Sequence, residues 1–206
     1  MSNVSSTKPP APSGMSLYDD AGARKYLTPE ERADFLKAAE KMERKARTLC
    51  MVLAYSGCRL SEALALTADR VDMVAGVLTF ESLKKRRRGI YRAVPVPPAL
   101  LDALDMVHGV REAQGRPGGG QGVRLWEIGR TTAWRRINEA MNRAGISGAH
   151  ANPKGLRHAF GVAAIQQGIA LNMVQKWLGH ADLATTAIYA DAIGQEEQDI
   201  AARMWG

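Results

Sequence analysis

Two changes of texture, near residues 71 and 98, constrain what this chain can fold into more than any other feature of its sequence. Up to residue 66 the apolar residues recur at helical spacing. Thr28-Pro29-Glu30-Glu31 reads as a helix start, with Thr28 as cap, Pro29 in the first turn and Glu31 closing a capping box. That helix runs to about Lys41, with Phe35, Leu36 and Ala39 inward. A second, over about 46–55, is largely apolar and ends at Gly57; a third begins after Arg59 with Ala63, Leu64 and Leu66. Then the period shortens. Val71, Val77-Leu78-Phe80 and Ala93-Val94-Val96 read as short strands, the last two joined by a hairpin containing Gly89. Pro97-Pro98 ends the sheet and opens a helix through Leu100, Leu101, Leu104 and Val107. Residues 115–122 (GRPGGGQG) read as a flexible loop, and Leu125-Trp126 as a brief buried contact. Helical stripes then return: Ala133, Ile137, Ala140, Met141 and Ala144, followed by segments near 155–167, 172–178, 182–190 and 195–204. The expected fold is mixed α/β, mainly α-helical with a small antiparallel β-sheet. No internal repeat is present.

The first 26 residues read as a flexible N-terminal tail, because Pro9, Pro10, Pro12, Ser13 and Gly14 carry no periodic apolar face. Residues 27–206 read as one domain, of a size that suits a single core. No apolar run approaches the roughly 20 residues needed to span a bilayer, and the N-terminus lacks the apolar stretch of a secretory signal. Cys50 and Cys58 are the only cysteines, both in apolar helical surroundings, so no disulfide framework is expected and the cytoplasm is the expected compartment.

Charge points to the partner. Lys and Arg number 28 against 21 acidic residues, a net charge of +7. More telling is the clustering: Lys84, Lys85, Arg86, Arg87, Arg88 and Arg92 fall within nine residues. Such a run fits a polyanion.

Four segments carry candidate chemistry. In Ser56-Gly57-Cys58-Arg59-Leu60-Ser61-Glu62, Arg59 follows a glycine break at a helix start, where its planar fork can grip two phosphate oxygens, and Glu62 can orient it. The basic hairpin, residues 83–91, can carry a lysine into DNA to protonate a leaving oxygen. In Lys154-Gly155-Leu156-Arg157-His158, Lys154 and Arg157 stand three apart on a helix and share a face, which suits an anion between them. His180 follows Gly179 at a helix break, and Tyr189 comes nine residues later. Taken singly, each has an ordinary explanation: a solvated arginine, a charged turn, a basic surface, a packed histidine or tyrosine. In order they give a set of cations followed by a nucleophile.

With these segments in place, the chain resembles the tyrosine recombinase, or phage integrase, family. "SGCRLSEALAL", "KGLRHAF" and "WLGHADLATTAIYAD" match its catalytic boxes, "RAVPVP" resembles the strand after its catalytic hairpin, and the likeness covers about residues 27–191. The resemblance implies the fold of the family's catalytic domain for 27–206 and a role for each residue. Arg59 and Arg157 bind the non-bridging oxygens of the scissile phosphate. Lys84, or its neighbour Lys85, protonates the leaving 5′ oxygen. His180 assists the clamp and the proton handling, Glu62 supports the site, and Tyr189 forms a covalent 3′-phosphotyrosine. Lys154 departs from the family, where this position is most often His.

The implied function is site-specific recombination of double-stranded DNA: integration, excision or inversion. Fixed cations stabilise the pentavalent phosphate more than the ground state, and the covalent link conserves bond energy, so no cofactor and no metal is expected. Lys85, Arg86, Arg87 and Arg88 are expected on phosphates, with Arg135 and Arg143 as groove contacts. Subunits are expected to join in a synaptic tetramer on DNA, with residues 190–206 docking on a neighbour. Most family members carry a further DNA-binding domain in front; with only about 26 residues before the domain, the chain resembles the short single-domain or shufflon-type members. The alternatives are a non-catalytic DNA-binding protein on the same scaffold and a type IB topoisomerase-like enzyme.

Overall fold

The computed structural model describes residues 16–82 and 89–190. Residues 83–88 and 191–206, and with them the expectations for Lys84 to Arg88 and for docking on a neighbour, lie outside the described residues. In chain order the elements are α1 (Pro29–Glu40), α2 (Arg44–Ser56), α3 (Leu60–Leu64), β1 (Val71–Asp72), β2 (Val77–Glu81), β3 (Tyr91–Pro95), α4 (Pro98–His108), α5 (Val110–Gly115), α6 (Arg130–Arg143), α7 (Pro153–Gln166), α8 (Leu171–Leu178) and α9 (Ala184–Ala187).

Helix α2 is the axis of the molecule. Its apolar residues are not confined to one stripe: Leu49, Cys50, Val52, Leu53 and Ala54 are all buried. A helix apolar on every side must be surrounded, and α1, α4, α6 and α7 pack around it. Helix α1 starts as its sequence demands. The Thr28 hydroxyl accepts the Glu31 N–H at 3.2 Å, and the Glu31 carboxylate accepts the Thr28 N–H at 2.9 Å. The three strands pair antiparallel in the order β1-β2-β3. Leu78 lies opposite both Val71 and Val94, and Phe80 lies opposite Arg92. Period-two alternation therefore turns Leu78, Phe80, Val94 and Arg92 to the core. Trp126, 2% exposed, fills the space between helices and donates its indole N–H to the Lys45 carbonyl at 2.8 Å.

Three local expectations need correction. Order begins before Thr28: Leu17 is 2% exposed and packs with Val162, Val174 and Tyr189. A turn held by Asp19 returns the chain so that the Lys25 N–H reaches the Leu17 carbonyl at 2.7 Å, and Arg24 pairs with Glu31. Periodicity could not reveal this, because a single apolar residue in an irregular strap has no period. Helix α5 was not foreseen; Gly109, in the left-handed region, separates it from α4. The helix expected over 182–190 is only the short α9, and Tyr189 lies just beyond it in a turn.

Candidate active site

Helix α7 builds one wall of the site. Asn152 caps it, its side-chain oxygen accepting the N–H groups of Lys154 at 2.8 Å and Gly155 at 3.1 Å. From there Lys154, Arg157, His158 and Gly161 recur at helical spacing on one face. Gly161 is there for its lack of a side chain: a Cβ would stand 2.6 Å from the Tyr189 ring. The Tyr189 phenol therefore lies directly against α7, with its oxygen 3.2 Å from His158 Nδ1.

Arg157 is 7% exposed and is gripped from behind. Its Nη1 donates to the Gly57 carbonyl at 2.8 Å and its Nη2 to the Leu178 carbonyl at 2.6 Å. Gly57 closes α2 at φ 60, and a Cβ there would lie 2.6 Å from the Phe160 ring, so only glycine fits. Two residues on, Arg59 is the N-cap of α3, extended in backbone, with Nη1 2.9 Å from Glu62 Oε1. Glu62 is itself buried between two arginines, Arg59 and Arg92, the latter at 2.6 Å. On the far side, Gly179 ends α8 in the left-handed region and presents His180, whose Nδ1 is 2.9 Å from the Thr186 hydroxyl and whose ring stacks on Tyr189 at 6.1 Å. Arg59, Lys154, Arg157, His158, His180 and Tyr189 all line one cavity of about 670 Å³, with Arg130 and Trp134 of α6 at its rim.

The electrostatics follow from this packing. Burial, then the Arg59 charge, brings Arg157 down to about 10, so it stays charged at neutral pH. Burial pushes Tyr189 up to about 12, against the pull of Arg157 and Arg59. Burial works against the Glu62 charge, but Arg92 and Arg59 outweigh it and hold the carboxyl below its usual range. His180 is drawn down to about 3 and His158 to about 4, first by burial and then by neighbouring cations. His108, half-buried beside Trp126 and near Lys45, falls to about 4 for the same reasons.

These three histidines predict acid sensitivity. Folded, they stay neutral where a free imidazole titrates near 6.5. The unfolded chain then binds more protons below about pH 6.5, so stability declines as pH falls from about 6.5 towards 4. Each fully shielded histidine removes at most about 1.4 kcal/mol per pH unit, and solvent at His108 and His180 reduces their share. The melting temperature should drop by several degrees between about pH 7 and pH 5. An unchanged value would mean that the histidines take up protons without unfolding.

Of the residues expected in the site, the structure gathers Arg59, Glu62, Lys154, Arg157, His180 and Tyr189. Arg135 and Arg143, expected as groove contacts on DNA, are exposed on α6 outside the cavity. Arg130 and Trp134, one helical turn apart, hold the cavity face of α6, and Arg135 and Arg143 fall on other faces. Arg143 pairs with Glu139 at 2.7 Å. Two residues near the site were missed. His158 stands four residues after Lys154, so the spacing that puts Lys154 and Arg157 on one face of α7 also placed His158 there; what spacing could not supply was the Tyr189 phenol that it meets. Arg92 was grouped with the basic run, yet its alternation with Val94 on β3 was a readable sign that it faces inward. Among the described residues, no cluster of three or more His, Cys, Asp or Glu side chains is placed to hold a metal.

A helical body with one small sheet, and a cavity that collects arginines, a lysine, histidines and a buried tyrosine, defines the catalytic domain of the tyrosine recombinases. Residues 25–196 match the phage integrase family, and the chain belongs to it. Tyrosine recombinase XerD of Pseudomonas aeruginosa is 34% identical over 164 residues, covering 76% of this chain and 53% of that protein. A tyrosine recombinase of Thermosipho africanus is 27% identical over 185 residues, 87% of this chain and 61% of its own length. The crystal structure of XerA recombinase superposes with a TM-score of 0.70 at 25% identity, over 87% of this chain and 64% of that one. XerH recombinase, bound to its difH substrate before cleavage, shares the fold with a TM-score of 0.68 at 22% identity, over 92% of this chain and 60% of that one. The chain thus spans about half the length of the XerD relative. The fold class and the family resemblance expected from the sequence both hold. No helix among the described residues is long and apolar enough to cross a membrane.

Proposed function

We propose that this chain cuts and rejoins double-stranded DNA at a specific site through a covalent 3′-phosphotyrosine. The observation that carries this reading is the convergence of Tyr189, Arg59, Arg157, Lys154 and His180 on one cavity. Arg59 and Arg157 hold the non-bridging oxygens of the scissile phosphate, and Lys154 adds charge from the α7 face. The Tyr189 oxygen attacks phosphorus, and the P–O5′ bond breaks. Lys84, or Lys85 beside it, protonates the departing oxygen, and the 3′-phosphate stays on Tyr189. His180 takes the phenol proton. A bound phosphate offsets the arginine charges that hold His180 down, which makes it a better base at that moment. The 5′-hydroxyl of a second strand then attacks the phosphotyrosine and releases Tyr189. The setting is the cytoplasm, where Cys50 and Cys58, their thiols pushed up to about 12 by burial, serve as packing residues.

The test is covalent capture. A library of nicked duplexes with randomised arms is incubated with the chain, and adducts that survive detergent are sequenced. Recovery of one sequence family supports the reading. DNA binding without any adduct would indicate a binding protein on the same scaffold. Relaxation of supercoils without strand exchange would indicate a topoisomerase.

Lys85, Arg86, Arg87 and Arg88 bind phosphates in this reading. Replacing all four with Gln should weaken binding to every sequence alike and flatten the salt dependence by about one unit of slope per lost contact. Affinity lost for one sequence only would make the run a base reader instead.

Recombination joins two duplexes, so subunits assemble on DNA, as a tetramer in this reading. Ile193, Ile200, Ala201, Met204 and Trp205 offer an apolar segment for docking on a neighbour. Deleting residues 194–206 should leave a folded monomer that binds DNA without cooperativity and exchanges no strands. Strand exchange by the truncated chain would move the interface elsewhere.

A further inference from the structure

A guanidinium on the inner face of a sheet is costly unless every edge is paired. Arg92 is 8% exposed, opposite Phe80 in the β2–β3 ladder, and all three of its nitrogens are engaged within the protein. Nε donates to the Trp177 carbonyl at 2.7 Å, Nη1 to Glu62 Oε1 at 3.2 Å and Nη2 to Glu62 Oε2 at 2.6 Å. Its Cζ lies 5.3 Å from the centre of the Phe80 ring, and its aliphatic stem crosses the bare face of Gly179, where a Cβ would stand 3.0 Å from Cδ. Held on every side, Arg92 is not available to DNA, although it belongs by sequence to the basic run.

Its partners are what hold the phosphate-binding groups. The Glu62 carboxylate that Arg92 grips also accepts the Arg59 backbone N–H at 2.8 Å and Arg59 Nη1 at 2.9 Å. Trp177 precedes Leu178, whose carbonyl fixes Arg157 at 2.6 Å, and the turn continues through Gly179 to His180. Because Arg92 occupies both Glu62 oxygens, Arg59 makes a single side-chain contact with that carboxylate. Without Arg92, Glu62 could close a two-pronged pair with Arg59 and draw its fork away from a phosphate.

We propose that Arg92 is a positioning residue of the phosphate clamp: it competes with Arg59 for Glu62, keeping the Arg59 fork open to substrate, and ties that carboxylate to the turn that carries His180. The role rests on the strand-cleavage reading of the cavity.

The test uses the nicked duplex that gives most adduct with the wild-type chain, and a second copy in which the scissile phosphate is a neutral methylphosphonate. Arg92→Lys and Arg92→Gln are both made, each checked for a cooperative melt. On the phosphate substrate, single-turnover cleavage should fall roughly 10–100-fold, the scale of a displaced reacting group, while DNA affinity stays within about threefold. On the methylphosphonate the penalty should shrink to about threefold or less, because a neutral centre no longer needs the Arg59 charge. An equal penalty on both substrates would mean general packing damage and overturn the proposal, as would a wild-type rate. If neither variant folds, Arg92 is a residue of the fold alone and the proposal fails. A wild-type chain that forms no adduct overturns the recombinase reading itself; a wild-type adduct with equal penalties overturns only the role of Arg92.

Discussion

Tyr189→Phe should form no covalent adduct with DNA while keeping its fold and its affinity for duplex. The phenolic oxygen is the only atom removed, and in the strand-cleavage reading it is the atom that bonds to phosphorus. The ring stays against Gly161 and among Leu17, Val162 and Ile188, so its packing survives. What is lost inside the protein is the contact with His158 Nδ1. His158 Nε2 is already buried without a partner, so the ring is left with neither nitrogen bonded. A stability loss of about 1–3 kcal/mol follows from stripping a buried polar group of its partner. Adduct formation is read on denaturing gels, affinity by titration and stability by melting. Adduct at the wild-type level in a folded Tyr189→Phe would show that another residue attacks, and the assignment of the site would have to be rebuilt.

Arg157→Lys should slow cleavage by roughly 10²–10³, the scale for removing one donor aimed at a transition state. Charge is retained, so long-range attraction of DNA is not what changes. The fork is lost. Arg157 spans the Gly57 and Leu178 carbonyls with Nη1 and Nη2 and lines the cavity. A lysine has one nitrogen and cannot hold both carbonyls and an anion together. One buried carbonyl then lacks its donor, at a further cost of about 1–3 kcal/mol in stability, so rates must be compared well below the melting range. A near-normal single-turnover rate would place Arg157 outside the chemistry and reduce it to a strut between α2 and α8.

Much of this molecule was readable because its signals are local. Thr28 and Glu31 form a capping box with whatever follows them. Gly57 and Gly179 end helices because the left-handed region is open to glycine at little cost. Alternation of Leu78 with Phe80 needs only five residues to declare a strand. The segments around Arg59, Arg157, His180 and Tyr189 were legible as separate pieces, each with a residue type suited to a phosphate and each at a helix break or face.

Their convergence was not legible in that way. The Gly57 carbonyl that holds Arg157 lies 100 residues away in the chain, and the Trp177 carbonyl that holds Arg92 is 85 away. Nothing local encodes such pairs; they follow from how α7, α8 and the sheet pack around α2. The same packing buried Leu17 beneath Tyr189, turned Arg130 and Trp134 rather than Arg135 to the cavity, and set His158 against the phenol. The sequence by itself determined most of the elements, the helix ends marked by a cap or a glycine break, and the residue types available for chemistry, because caps, breaks and periodicity act over a few residues. Only the tertiary structure decided which partner each charged side chain meets. Alternation with Val94 turns Arg92 to the inner face of β3, but only packing brings the distant carboxylate and carbonyl that meet it there.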